Sequence, residues 1–440
     1  MSFLKRLFGA FRRDDAPTPL SGTPAAQTPR TVPAAPAAIS RKPVAISWQE
    51  MLDASSGIAA YLLRPSSLQV GMAPSGPDWL AALTQDSIAR LAQRRKILVP
   101  ITPLQWRSAN FAALVGPNVF FLLQDAPHSD QPNAAWTTLA ADIRAAGGRL
   151  AADMATLAVL AGADFPDLLL FDLQGREFKA FEQQVRGMRQ QWPTLQLAVE
   201  NVASWTEYRF LMALGVGYCL GPFATCRDET QQSDGFSQNR LTLVEMLNLL
   251  RREADTAEVV AVAKRDPAVV IKLLEMANSP LSGLSRQVSS LEDAVMLLGR
   301  APLYRWLSLA MFQIGTRDDQ RDHTLMVISL SRAAFLESLA DENNRQQAGE
   351  LFLVGLFSLI DSLLGLPTAS VLGKMHLPGP VAQVLLDKDG PYARHLMLAI
   401  CMERGRVDQA ILLAGAIGLD PAETIFQYSE AMAWATADLL

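Results

Sequence analysis

Between residues 43 and 228, short runs of contiguous apolar residues recur along the chain. They lie at Val44–Trp48, Gly57–Arg64, Lys96–Thr102, Val119–Leu123, Arg149–Asp153, Leu168–Asp172, Gln196–Asn201 and Gly217–Gly221. A strand with one face in water alternates apolar and polar positions. An unbroken apolar run marks a strand covered on both faces, as in a parallel sheet. Between several of these runs apolar residues return with helical period, at Trp79–Gln93, Trp136–Ala146, Phe178–Gln191 and Ser204–Leu214. Gly147 and Gly148 form a natural stop after the second of these. Eight strands alternating with helices predict a short (β/α)8 barrel over 43–228, with some helices reduced to loops. The competing arrangement is an open doubly wound sheet, but neither GxGxxG nor GxxxxGKS occurs to supply its phosphate loop.

After the polar stretch DETQQSDG (228–235) the period changes to 3.6 throughout, so residues 229–440 read as all-α. Helices are expected at Asn239–Arg251, Asp266–Asn278, Ser290–Leu298, Ala301–Ile314, His323–Ala340, Gln347–Leu364, Ala369–Met375, Gly379–Leu386, Pro391–Arg404, Val407–Leu413 and Pro421–Leu439. Asp266-Pro267 is a cap followed by a first-turn proline, and Ser290-Leu-Glu-Asp293 has the spacing of a capping box.

The amino terminus differs from both halves. Residues 1–13 place Phe3, Leu4, Leu7, Phe8 and Phe11 at helical spacing beside Lys5, Arg6, Arg12 and Arg13. This tip carries +4, so the remainder carries −9 of the net −5. Such a segment suits contact with an anionic membrane surface or a partner. Residues 14–42, rich in Pro and Ala, read as a disordered linker. No run is long enough to span a membrane. The charge balance supplies no basic field for nucleic acid. Three cysteines fit no disulfide framework, and four scattered histidines give no His-rich metal site. A cytoplasmic protein is expected, touching the membrane peripherally if the tip engages it.

In a (β/α)8 barrel chemistry sits at the carboxyl ends of the strands. Asp153, Asp172 and Glu200 are the carboxylates placed there. They could in principle share a divalent cation, but they are expected to cap helices and bind loops. Here the segments resemble the EAL domain of cyclic di-GMP phosphodiesterases. IAAYLLRP (58–65), LVPITPLQW (98–106), RLAADMATLAVL (149–160), DLLLFDLQG (167–175) and LAVENVASWTEYRFLMALGVGYCLGPF (197–223) carry the likeness. Carried over position by position, the family's namesake Glu falls on Tyr61 and its Asn on Pro100. The next metal-binding Glu falls near Leu122, the paired Asp on Ala152 and Asp153, and the Lys on Leu170. The closing Glu is retained as Glu200, and the Gln falls on Leu220. Arg64 matches the R of E-L-L-x-R and is the candidate phosphate contact. The resemblance therefore implies a degenerate barrel without metal ligands or cofactor.

The helical half resembles an HDOD domain through RLTLVEMLNLLRRE (240–253), RDPAVVIKLLEMANSP (265–280), VSSLEDAVMLLGRAPLYRWLSLAMF (288–312) and GELFLVGLFSLIDSLLGLP (349–367). Where an HD phosphohydrolase shows adjacent His and Asp, this chain has Ser358 and Leu359. His323 matches a His common in the HDOD pattern and is expected to be structural. Together the two resemblances imply a non-catalytic regulatory or scaffold protein of bacterial cyclic di-GMP signalling, acting on other signalling proteins. The alternatives are a cyclic di-GMP receptor without turnover and a residual phosphodiesterase using Asp153, Asp172 and Glu200.

Overall fold

A computed structural model describes residues 44–68, 73–124, 126, 133–160, 165–228, 230, 237–278, 288, 290–313, 320–341 and 343–438. The basic tip and the proline-rich linker lie outside the described residues. Eight strands fall on the eight apolar runs: β1 (Val44–Leu52), β2 (Ile58–Ser67), β3 (Lys96–Ile101), β4 (Val119–Leu123), β5 (Arg149–Asp153), β6 (Leu168–Asp172), β7 (Gln196–Glu200) and β8 (Tyr218–Cys219). They close a barrel in sequence order. From β2 to β8 every pairing is parallel, as the unbroken apolar runs predict.

β1 departs from that pattern and runs antiparallel to both neighbours. Only Asp53–Gly57 connect it to β2, too few residues for a crossover helix. Instead they close a hairpin turn, with Asp53 N–H donating to Gly57 O at 3.1 Å and Ser56 N–H to Asp53 O at 2.9 Å. Met51, Leu62, Leu98, Phe120, Leu168 and Ala198 help to fill the barrel interior.

The barrel helices are α1 (Gly76–Leu83), α2 (Asp86–Arg94), α3 (Pro103–Ser108), α4 (Ala134–Ala145), α5 (Met154–Val159), α6 (Phe178–Gln191) and α7 (Trp205–Ala213). The single helix expected over Trp79–Gln93 is two, because the chain turns at Thr84–Gln85. The short α3 and α5 arise from local caps. Thr102 and Gln105 form a complete capping box on α3, and Asp153 Oδ1 accepts from Thr156 N–H on α5.

The helical half comprises α8 (Gln238–Arg251), α9 (Thr256–Ala263), α10 (Pro267–Ala277), α11 (Leu291–Leu298), α12 (Arg300–Gln313), α13 (Gln320–Ser338), α14 (Arg345–Phe357), α15 (Ile360–Leu364), α16 (Thr368–Leu372), α17 (Gly379–Asp387), α18 (Ala393–Glu403), α19 (Val407–Ala416) and α20 (Pro421–Asp438). Asp266 and Ser290 cap their helices as their sequence positions predict. The helix expected over Gln347–Leu364 is broken at Ser358–Leu359, and α9 was not expected at all.

The two halves share one continuous cluster of buried apolar side chains. Helices α18 and α20 pack on β1, and α20 also packs on α2. Polar contacts cross as well. Thr324 Oγ1 donates to Ser56 O in the β1–β2 turn at 2.9 Å, and Ser362 Oγ to Thr225 O at 3.0 Å. The change of texture near residue 229 therefore marks a change of architecture within one packed body.

Candidate functional site at the barrel mouth

Strand alternation decides which side chains reach the mouth. Ala60, Leu62, Leu122, Leu170, Ala198 and Leu220 point inward. Two residues beyond such positions stand Arg64 on β2, Asp172 on β6 and Glu200 on β7, with Asp153 two beyond inward Ala151 on β5. Pro100, two beyond inward Leu98, is buried, and its carbonyl accepts from Trp79 Nε1–H at 3.0 Å.

One of the expected positions is corrected by this alternation. Tyr61 belongs to the outer core, edge-on to Trp48 with ring centres 6.0 Å apart, and so does not face the mouth. The inward residue four places before Arg64, the spacing of E-L-L-x-R, is Ala60. Of the adjacent pair, Ala152 packs outward and Asp153 is the inward member.

Asp153 and Asp172 stand near enough for their charges to act on Glu200, and each of the three carboxylates is engaged. Glu200 forms an ion pair with Arg64 Nη2. Arg64 Nε also donates to Gln49 Oε1 at 3.0 Å. Asp172 Oδ1 accepts from Asn201 Nδ2 at 2.7 Å and from Gln174 N–H at 2.8 Å. Asp153 Oδ1 caps α5 at 2.7 Å. Burial pushes the Glu200 carboxyl above its usual range. Arg64 opposes that shift, while Asp172 and Asp153 add to it. A guanidinium among three engaged carboxylates does not suit a pair of divalent cations, which need several hard oxygen ligands and repel a fixed positive charge.

The mouth is also covered on one side. Glu403 closes α18, and the turn to α19 carries Arg404, Gly405 and Arg406. Gly405 adopts φ +68°, and a methyl group there would lie 3.2 Å from Gln49 Nε2, 3.3 Å from Ser47 Oγ and 3.7 Å from Arg64 Cδ. The backbone of this turn thus rests on the Arg64 corner. Beside it a cleft of about 530 Å³ opens between Arg404 and Arg406 on one wall and Arg176, Asn201 and Gly221 on the barrel rim.

A polar cluster ties the turn to the helical half. Arg332 of α13 donates to Glu403 through Nε at 2.8 Å and Nη2 at 2.6 Å, and through Nη1 to Ser358 Oγ at 2.6 Å. Glu50 of β1 stands close enough for its charge to act on Arg332.

Known proteins resemble the chain in two ways. A family model of the HDOD domain matches residues 240–368. That segment is an HDOD domain. Among curated relatives, the uncharacterized protein YuxH of Bacillus subtilis is 32% identical over 192 residues, 43% of this chain and 46% of the relative. The cyclic di-GMP phosphodiesterase CdgJ of Vibrio cholerae is 25% identical over 257 residues, 57% of this chain and 58% of the relative. The chain thus matches about half the length of these relatives. Among solved structures, an EAL domain protein from Listeria monocytogenes aligns over 42% of this chain and 87% of its own, at 14% identity and TM-score 0.29. The FimX EAL domain of Xanthomonas citri, in complex with c-diGMP, aligns over 44% and 91%, at 14% identity and TM-score 0.29.

In the HDOD domain, Ser358 holds Arg332 and donates to Gly355 O at 2.6 Å, and Leu359 is buried. His323 lies on α13, His376 is exposed, and His395 packs half-buried against Tyr392. Among the described residues no three His, Cys, Asp or Glu side chains gather as a metal site requires, and no helix is long and apolar enough to cross a membrane. Sequence reasoning missed Gln49, Glu50, Arg332, Glu403 and Gly405. They come from four separate elements, and only the closing Arg-Gly-Arg turn (404–406) carries a local signal.

Proposed function

We propose that this protein is a non-catalytic regulator of cyclic di-GMP-linked signalling, in which the helical half covers a barrel that no longer turns over substrate and presents a surface to other signalling proteins. The observation that carries this reading is the Arg64–Glu200 ion pair lying under the Gly405 turn. A carboxylate neutralised by an arginine neither binds a cation well nor activates a water. The order of EAL-like segments and the relative named as a phosphodiesterase support the link to cyclic di-GMP. Purified full-length protein with Mg²⁺ or Mn²⁺ should leave cyclic di-GMP intact. Turnover that vanishes in Glu200→Ala would overturn the proposal.

A second reading, reception of cyclic di-GMP without turnover, is favoured by the arginines Arg176, Arg404 and Arg406 around the 530 Å³ cleft. Calorimetry with cyclic di-GMP decides between them: a silent titration at high micromolar ligand removes the receptor. The basic tip with Phe3, Leu4, Leu7, Phe8 and Phe11 adds a peripheral membrane contact to either reading. Deleting residues 1–13 should then shift the protein from the membrane to the soluble fraction.

A further inference from the structure

A second cavity, of about 400 Å³, lies in the helical half away from the barrel mouth and from Ser358. That is within the range of about 300–1,000 Å³ typical of small-molecule sites. Its floor is apolar and partly aromatic, formed by Leu250, Tyr304, Phe352 and Leu353. Arg305 covers the Phe352 ring at 3.6 Å and is fixed there by Glu337, at 2.6 and 2.5 Å. The aromatic wall is therefore rigid. Arg305 Nε is buried without an acceptor among the described residues.

The rim is cationic. Arg251 ends α8, Arg300 begins α12 and Arg345 begins α14, and all three line the cavity. Arg251 and Arg300 are exposed and have no ion-pair partner among the described residues. The amino ends of α12 and α14 bring positive ends of helix dipoles to the same rim, and the carboxyl end of α8 beside Arg251 brings a negative one. Two acids also line the cavity: Glu350 is committed, accepting from Tyr392 Oη–H at 2.7 Å and from Gln346 Nε2 at 3.0 Å, while the exposed Glu253 offsets one of the three rim arginines. An apolar aromatic floor under the guanidiniums of Arg251 and Arg300 selects a ligand with a flat ring at one end and a strong anion at the other.

We infer that this cavity binds a nucleoside monophosphate, its base against Tyr304 and Phe352 and its phosphate between Arg251 and Arg300. The site stands apart from the barrel mouth, so it does not rest on the function proposed for the barrel.

Calorimetry on the full-length protein tests it, with GMP and AMP as probes and guanosine and inorganic phosphate as fragments. Both nucleotides should bind, each at least about tenfold more tightly than either fragment. The double variant Arg251→Gln/Arg300→Gln should weaken them by about tenfold or more, the scale of losing charge-assisted hydrogen bonds. Arg64→Ala should leave them unchanged. The inference is overturned if neither nucleotide binds, if a fragment matches the nucleotide, if the double variant binds as the parent does, or if Arg64→Ala removes binding.

Discussion

Arg332 on α13 and Glu403 at the end of α18 meet as a two-pronged pair, Nε to Oε1 at 2.8 Å and Nη2 to Oε2 at 2.6 Å. Their side chains are 4% and 13% exposed, so neither charge has water to fall back on. Removing one partner leaves the other buried and uncompensated. Arg332→Ala or Glu403→Ala should each cost about 3–5 kcal/mol. Replacing both together by Met and Leu should cost far less, because the desolvation of both charges is then removed. Urea denaturation of the three variants checks this. Additive single and double costs would refute the pairing.

Glu50 makes the same interface sensitive to pH. Burial pushes its carboxyl from 4.5 up to about 8, Glu403 adds to the shift, and Arg332 opposes it. A carboxyl raised in the folded state binds its proton more tightly when folded than when unfolded. Its contribution to stability is thus full below about 4.5 and is lost progressively as pH rises to about 8. Glu50→Gln keeps the neutral shape and removes the titration. Between pH of about 5 and about 8 the parent should lose about 1–3 kcal/mol more than the variant, part of the shift being relieved by the adjoining cleft. Urea midpoints at the two pH values measure the difference, and equal losses would contradict it.

How much of this was legible in the sequence follows from how local each signal is. All eight strands were readable because a strand buried on both faces is a contiguous apolar run. The antiparallel start was not, because continuous apolar runs say nothing about direction. Its sign was the helix-free gap between Trp48 and Gly57. The caps at Asp266 and Ser290 were readable because cap and helix are adjacent in sequence. Breaks at Thr84–Gln85 and Ser358–Leu359 were not, since no Gly or Pro marks them and the apolar period runs through. At the mouth, the namesake position was placed on Tyr61, which the strand turns outward, a one-residue slip that reverses a side chain. Glu50, Arg332 and Glu403 carry meaning only together, and nothing in a linear pattern pairs residues from β1, α13 and α18.

Gly355 tests the packing at the centre of the HDOD domain. A Cβ there would lie 2.5 Å from Ala333 Cα and 2.6 Å from Ala333 N on α13. Those atoms are backbone, so no rotamer change relieves the clash, and the two helices must separate. Gly355→Ala should destabilise by about 1–3 kcal/mol or more. Gly349, on the same helix, has nothing within 4 Å of its would-be Cβ. Gly349→Ala should stabilise by about 0.5–1 kcal/mol through helix propensity alone. Thermal unfolding of the pair separates the causes: two changes of the same sign would mean that α13 and α14 do not approach as described.

Gly405 tests the cover over the barrel mouth. Its φ of +68° penalises any side chain, and a Cβ would press on Gln49 Nε2 at 3.2 Å and Ser47 Oγ at 3.3 Å. Gly418 shares the first property, with φ +78°, but has nothing within 4 Å. Gly405→Ala and Gly418→Ala should each lose about 1–2 kcal/mol to backbone strain. Only Gly405→Ala should also loosen the seat of the turn on β1 and β2. The discriminating measurement is amide hydrogen exchange at the β1–β2 pairs Ser47–Arg64 and Gln49–Leu62. Exchange there should accelerate in Gly405→Ala and match the parent in Gly418→Ala. Equal protection in the two variants would mean that the turn does not bear on the mouth, and would remove the covering contact on which the non-catalytic reading rests.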